Sequence, residues 1–485
     1  MPFLFRATVL AAALATLLPA TAAVDLNARV PVGPQVKVGK LANGLTYYIQ
    51  KNGKPEHRVE LRLVVKAGSA LEDDDQQGLA HMLEHLAFNG STHFKKQELV
   101  SYLQSIGVKF GADLNAYTGL DETVYMLPVP TDRKENVETA FTVLEDWAHG
   151  VTLAADDIDK ERAIVLEEAR LHKGAQERLR KALAPKLYNG SRYALREPIG
   201  KEDVIRTAQP EALRRFYRDW YRPDLMAVIV VGDIEPAEAE RLVKAHFAGL
   251  ANPPQPRPRT YADIPARTRT EAFVFADEEM SGSAVELNYP VRLEPDLGTY
   301  GSYRAKVVDN LAAILLSLRL GELTQQANPP FLGAGGRTIP VTARHKAFSI
   351  SAAVGAGGVV PAVAAVEQEM HRVRQFGFSE AELARVRKVV LNGMESAVKQ
   401  RDTTDSGRYV AEYQRNFLAG ESIPGIEAEF HVMQELLPEI TVADLNAAAR
   451  NAFPADAGKL VVFAGNTKAG PAPTTDQLVA ADAAA

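Results

Sequence analysis

Cysteine is absent from all 485 residues. That excludes disulfides, thiolate nucleophiles and any zinc site built on sulfur. A transition-metal site in this chain must be made from imidazole and carboxylate. A basic surplus is missing too: 55 Lys and Arg stand against 61 Asp and Glu, a formal net charge of -6. A general nucleic-acid binder would carry a basic footprint, so that class is disfavoured, whereas peptides remain open as ligands. Downstream of the N-terminal segment, no run is apolar and long enough to span a bilayer.

The exception at the N-terminus has a familiar grammar. Arg6 is followed by the apolar stretch ATVLAAALATLLPA and then by the small residues Ala20 to Ala23. This is the charged, apolar and small-residue order of a cleaved secretory signal, expected over residues 1–23. A cysteine-free exported chain of this size fits a bacterial periplasm or the medium better than a small disulfide-stapled scaffold.

What remains has 46% hydrophobic and 24% charged residues, enough for two or three globular domains. The segment Ala251–Thr260, ANPPQPRPRT, carries four prolines and reads as an extended linker. It separates an expected domain 24–255 from a second at 256–470, with residues 471–485 expected as a disordered Ala-, Pro- and Thr-rich tail. Both pieces close alike. A helix and the turn Trp220-Tyr-Arg-Pro-Asp precede the strand MAVIVVG, and a helix and Phe453-Pro-Ala-Asp precede KLVVFAG. The expected class is α+β: a duplicated unit with a mixed, mainly antiparallel sheet packed by helices.

Chemistry concentrates in His81-Met-Leu-Glu84-His85, inside a helical pattern expected over Asp73–Phe88 and stopped by Asn89-Gly90. Histidines four apart on a helix lie on one face and can converge on one ion. Glu84 can then reach a metal-activated water without being a ligand, which suits a general base. The order H-x-x-E-H inverts the commoner zincin motif. The surrounding residues Leu79, Ala80, Met82, Leu83, Leu86, Ala87 and Phe88 are apolar, so the polar trio needs partners, and Zn2+ supplies them. A catalytic zinc needs a third protein ligand and one open position. The helix containing Glu161, Glu167 and Glu168 offers it. Glu161 and Glu168 are seven apart and share a face; Glu168 is the first candidate, Glu167 the alternative, and Glu161 a supporting acid. The remaining histidines show no metal spacing.

Together these residues resemble the pitrilysin/insulinase family of inverted-zincin metallopeptidases. The resemblance extends to the runs GLAHMLEHLAFNGSTHF, LNAYTGLDETVYMLPVP and WYRPDLMAVIVVGDI, in family order. It implies half of a clamshell zinc endopeptidase that cleaves peptides or small unfolded proteins. His81, His85 and Glu168 would be metal ligands; Glu84 and Glu161 would be catalytic. Asn115, Ala116 and Thr118 match the family segment where substrate adds as a strand; turn chemistry is the other reading of Asn115 and Thr118. Tyr125 reads as a packed strand residue. The sequence departs from the family in one respect. The stretch Leu318 to Phe331 offers no Arg/Tyr pair to stabilise an oxyanion. A second peptidase half is therefore the expected partner, and a weakly active, zinc-binding assembly subunit is the alternative function.

Overall fold

The computed structural model describes residues 24–109, 111, 115–171, 174–294 and 296–484. The expected signal over 1–23 and His172 lie outside the described residues. The first sheet contains β1 (Lys37–Lys40), β2 (Thr46–Lys51), β3 (Arg58–Val65), β4 (Asn115–Thr118), β5 (Thr123–Pro130) and β6 (Met226–Gly232). The second contains β7 (Glu271–Ala276), β8 (Ala284–Asn288), the short β9 (Arg292–Leu293), β10 (Phe331–Thr342), β11 (His345–Val354) and β12 (Leu460–Gly465). Helices α1 (Leu79–Leu86), α2 (Glu98–Ser105), α3 (Lys134–Glu145), α4 (Ala155–Leu171), α5 (Ala175–Leu187), α6 (Glu202–Thr207), α7 (Pro210–Trp220) and α8 (Pro236–Phe247) accompany the first sheet. Then come α9 (Tyr300–Leu323), α10 (Val359–Phe376), α11 (Glu380–Lys399), α12 (Ser406–Ala419), α13 (Ile426–Glu439), α14 (Val442–Ala452) and α15 (Thr475–Ala483).

The strand orders are β1-β2-β6-β3-β5-β4 and β10-β11-β8-β12-β7. Read from opposite ends, β2-β6-β3-β5-β4 matches β7-β12-β8-β11-β10. Each of these series has one parallel pair, β2 with β6 and β7 with β12, and is otherwise antiparallel. Both sheets are thus mixed and mainly antiparallel, with helices packed on them.

Strand patterning explains which faces are covered. In β3, Val59, Leu61, Leu63 and Val65 alternate into the main core beneath the helices. In β6, Val228 and Val230 enter that core, while Ala227, Ile229 and Val231 enter a second one on the opposite face. Its unbroken apolar run reflects burial on both sides. The cover on the opposite face is α12, which reaches across from the second half of the chain with Val410, Tyr413 and Phe417. Tyr413 stacks on Tyr48 with centroids 5.6 Å apart.

Two expectations are corrected. Helix α1 begins at Leu79, not Asp73. Gly78 has φ +100°, a left-handed conformation that breaks the periodic run, and Asp73 instead caps a short turn of its own. The tail over 471–485 is not disordered: Thr475–Ala483 form α15. Thr474 and Gln477 form a capping box, Leu478 and Ala481 are buried, and Asp482 pairs with buried Lys459 at 2.6 Å. Composition misled because a nine-residue helix needs only one buried apolar edge, and the duplicated topology supplies the surface for it. In the first domain α8 follows the last strand and packs beside β2; α15 follows β12 and packs beside β7. The proline-rich linker is extended but tied down: Arg257 pairs with Asp73 and Asp219, and Arg259 with Asp121.

Candidate metal centre

Helix α1 is aimed by its N-terminus. Oε1 of the buried Glu72 accepts the backbone N–H groups of Gly78 at 2.9 Å and Ala80 at 2.8 Å. These are orphan donors of the first turn, and a carboxyl acceptor there suits the helix dipole. Burial pushes the Glu72 carboxyl up to about 8, against the lowering effect of those hydrogen bonds. A side chain at Gly78 would meet Ile205 and Gly200, so glycine also permits close packing at this entry.

One turn later His81 and His85 stand over α4, their ring centroids 4.6 Å apart. His85 Nε2 lies 3.3 Å and His81 Nε2 3.8 Å from Glu168 Oε2. One ligating atom from each of the three lies within 4.8 Å of the others, and no other such group occurs among the described residues. Tetrahedral zinc with bonds of about 2.0–2.2 Å places neighbouring ligand atoms about 3.3 Å apart. Two imidazoles and a carboxylate at these separations fit zinc with one position open. Glu167 does not join them. It is exposed and forms an ion pair with Arg170 at 2.5 Å.

Glu161 and Glu84 are more deeply buried than His81, His85 and Glu168. Glu161 Oε1 meets His85 Nδ1 at 2.9 Å, and its Oε2 accepts from Asn89 Nδ2. This leaves His85 Nε2 directed at the cleft and fixes the ring. Glu84 is buried, and its Oε2 accepts from Thr118 Oγ1 at 2.6 Å. Burial raises the pKa of Glu84, and the charge of Glu168 adds to this; the Thr118 hydrogen bond and His85 oppose it. Burial would lower the pKa of His85, but its hydrogen bonds to Glu161 and Glu168 and the charges of Glu84 and Glu161 push it up to about 10. Three carboxylates around two imidazoles make a pocket that demands positive charge.

The cleft holding these groups measures about 900 Å³ and is walled by α1, α2, α4, α5 and β4. Among the described residues, strand β4 is the edge of its sheet and pairs only with β5. Asn115 is exposed, and Ala116 and Thr118 are half-buried. Thr118 turns its hydroxyl to Glu84, so any contact it makes with a peptide falls to its backbone. Tyr125 is fully buried against Trp147 and donates to or accepts from Tyr221, consistent with packing. Sequence reasoning missed Asn89, Glu72 and the Thr118–Glu84 bond. Asn89 carried a signal, lying one turn beyond His85 on the same face. Glu72 carried none, because it sits in the acidic run LEDDD, which reads as solvated surface.

Fold and site together describe a duplicated α+β half with an inverted H-x-x-E-H helix facing a Glu-bearing helix. Residues 47–197 match the insulinase family (peptidase family M16), and residues 207–390 match the peptidase M16 inactive domain. The chain belongs to this M16 family. It is 35% identical over 409 residues to a zinc protease PQQL-like protein of Arabidopsis thaliana, covering 84% of this chain and 40% of the relative. It is 29% identical over 421 residues to the probable zinc protease PqqL of Escherichia coli, covering 87% of this chain and 45% of the relative. The chain thus spans less than half the length of these curated relatives. The crystal structure of the first half of the E. coli periplasmic protease PqqL superposes with a TM-score of 0.88 at 27% identity, covering 94% of this chain and 98% of that one. Among the described residues no helix is long and apolar enough to cross a membrane.

Proposed function

We propose that this chain is the metal-bearing half of an exported zinc endopeptidase acting on extended peptides or small unfolded proteins. The observation that carries the reading is the convergence of His81, His85 and Glu168 beside Glu84, in a cleft bordered by an unpaired strand edge. His81, His85 and Glu168 would hold the zinc, which would supply Lewis acidity and make a water beside Glu84 easier to deprotonate. Glu84 Oε takes the proton from the attacking water and returns it to the leaving amine. Thr118 holds the Glu84 carboxyl in register for this, and Glu161 with Asn89 holds the His85 ring. The free edge of β4 pairs with the peptide backbone, which gives breadth of sequence. The signal over 1–23 and a periplasmic location belong to the same reading, supported by the periplasmic PqqL relative.

Full turnover requires the other half of the peptidase, on the same polypeptide or another. No Arg/Tyr pair lies in the expected stretch, and Arg319 there is committed to Glu382 and Glu369. Assaying peptide hydrolysis with and without a second half tests this: high zinc-dependent turnover without it would contradict the requirement. With both halves present, Glu84→Gln is expected to keep zinc and lower turnover by about 10²–10⁴-fold. Unchanged turnover would overturn the assignment of Glu84.

A further inference from the structure

Strand β4 is only four residues long and ends a sheet, yet it must present its backbone in one register. Its two faces are held by different parts of the chain. Thr118 points inward to Glu84 on α1. Tyr117 points the opposite way, as the pleat requires, next to its cross-strand partner Val124 in the core covered by α12. There Gln414 of α12 donates from Nε2 to the Tyr117 hydroxyl at 2.7 Å. The same amide accepts from Arg62 on β3 at 2.6 Å. One glutamine of the second domain therefore ties the edge strand to a central strand from behind.

A second tie sits at the turn following β4. Asp121, 2% exposed, accepts from Arg259 of the linker at 2.9 Å, from Tyr193 at 3.1 Å, and from the backbone N–H of Ala343 at 3.1 Å. Ala343 lies at the tip of the β10–β11 hairpin in the second domain. The second domain thus touches β4 on its outer face and meets the turn at its end, and among its described residues no group that could hold a metal occurs.

Building on the reading of β4 as the substrate strand, we infer that Gln414 and Asp121 are positioning residues through which the second domain sets β4 for peptide binding. The ligands and Glu84 are anchored on α1 and α4, so loss of these ties acts on peptide affinity and leaves zinc in place. A methionine at 414 keeps the length of glutamine and removes both hydrogen bonds. A glutamate there accepts from both Arg62 and the Tyr117 hydroxyl, and so restores the tie.

The test uses the full zinc-loaded chain carrying Glu84→Gln, which binds without cleaving, and a labelled unstructured peptide of about twelve residues. Peptide affinity, zinc content and amide exchange of residues 115–118 are measured together. In the parent, peptide slows exchange at 115–118. Adding Gln414→Met weakens peptide binding by about fivefold, the weight of one to two hydrogen bonds, and speeds exchange at 115–118 in the free protein. Zinc content and melting temperature stay at the parent values, and Gln414→Glu recovers the affinity. Asp121→Asn acts in the same direction; Asp121 is buried, so the variant at the half-buried position 414 carries the decision. Peptide affinity within twofold of the parent in Gln414→Met, with 115–118 still protected by peptide, would overturn the inference and leave the strand reading standing. Peptide that binds the parent without slowing exchange at 115–118 would overturn the strand reading, and the inference with it.

Discussion

The two domains share one strand order, yet among the described residues only the first brings together a group of side chains that could hold a metal. Helix α1 follows β3 and faces the edge strand β4; α9 follows β8 and β9 and faces the edge strand β10. At α1 the helix presents His81, Glu84 and His85, and Glu84 accepts from Thr118 of the edge. At α9 the corresponding side presents Ile314, Ser317 and Leu318, and Ser317 accepts from the Gly336 N–H of its edge at 3.0 Å. In the second domain a hydroxyl-to-backbone hydrogen bond thus closes the helix against its edge strand. The residues proposed to hold a metal are therefore carried on a helix-and-edge-strand arrangement that recurs without them in the second domain, as sites on shared folds commonly are.

The comparison can be broken most forcefully at the helix that completes each sheet. If α15 is the true counterpart of α8, truncation after Gly470 exposes the surface that Leu478 and Ala481 cover and leaves Lys459 without Asp482. We expect a loss of about 3 kcal/mol in the denaturant midpoint analysis of the second domain. A loss below about 0.5 kcal/mol would mean that the segment is an ornament.

The groups behind the metal come next. Glu161→Gln keeps the size of the side chain but weakens its hold on His85. Zinc affinity should fall by about 10–100-fold in a competition titration with a chelator, with the fold unchanged by circular dichroism. Equal affinity would show that His85 is oriented by packing alone.

Glu72 separates the domains in a third way, because α9 is capped by Thr299 and Ser302 without a buried carboxyl. The folded Glu72 carboxyl is raised to about 8, above its ordinary 4.5. As pH rises through this window the unfolded chain gives up the proton first, so stability falls between about pH 4.5 and 8. Glu72→Gln should flatten that fall, seen as a smaller difference between melting temperatures at pH 5 and pH 8. An unchanged difference would assign the pH dependence elsewhere. The smallest effect is expected at Glu167→Ala, which removes an exposed, solvent-screened ion pair with Arg170: zinc affinity and melting temperature stay at the parent values.

The convergence of His81, His85 and Glu168 was legible because its information is local. Two histidines at i and i+4 share a face in any α-helix, and the seven-residue spacing of Glu161 and Glu168 does the same on α4. The duplication was legible where strands are continuous apolar runs, as at MAVIVVG. What could not be read is carried by contacts between distant residues. Asn89 and Glu161, Thr118 and Glu84, and Gln414 and Tyr117 meet only after the sheets form; the spacing of Asn89 from His85 marks its face but not its partner, and the other two pairs have no spacing to announce them. The crossing of α12 onto the first sheet is of the same kind: its apolar edge reads as that of any amphipathic helix, and only the uncovered faces of β3 and β6 decide where it packs. The tail helix failed for another reason. Its composition resembles a disordered segment, while its stability comes from Lys459 and a prepared groove rather than from propensity.

The most direct test of the account is zinc stoichiometry, measured on the purified chain and on two variants side by side. One tightly bound zinc per chain is expected in the parent and in Glu84→Gln, and none in His81→Ala. A His81→Ala chain that retains one zinc, or a Glu84→Gln chain that has lost it, would contradict the assignment of His81, His85 and Glu168 as ligands with Glu84 standing beside them.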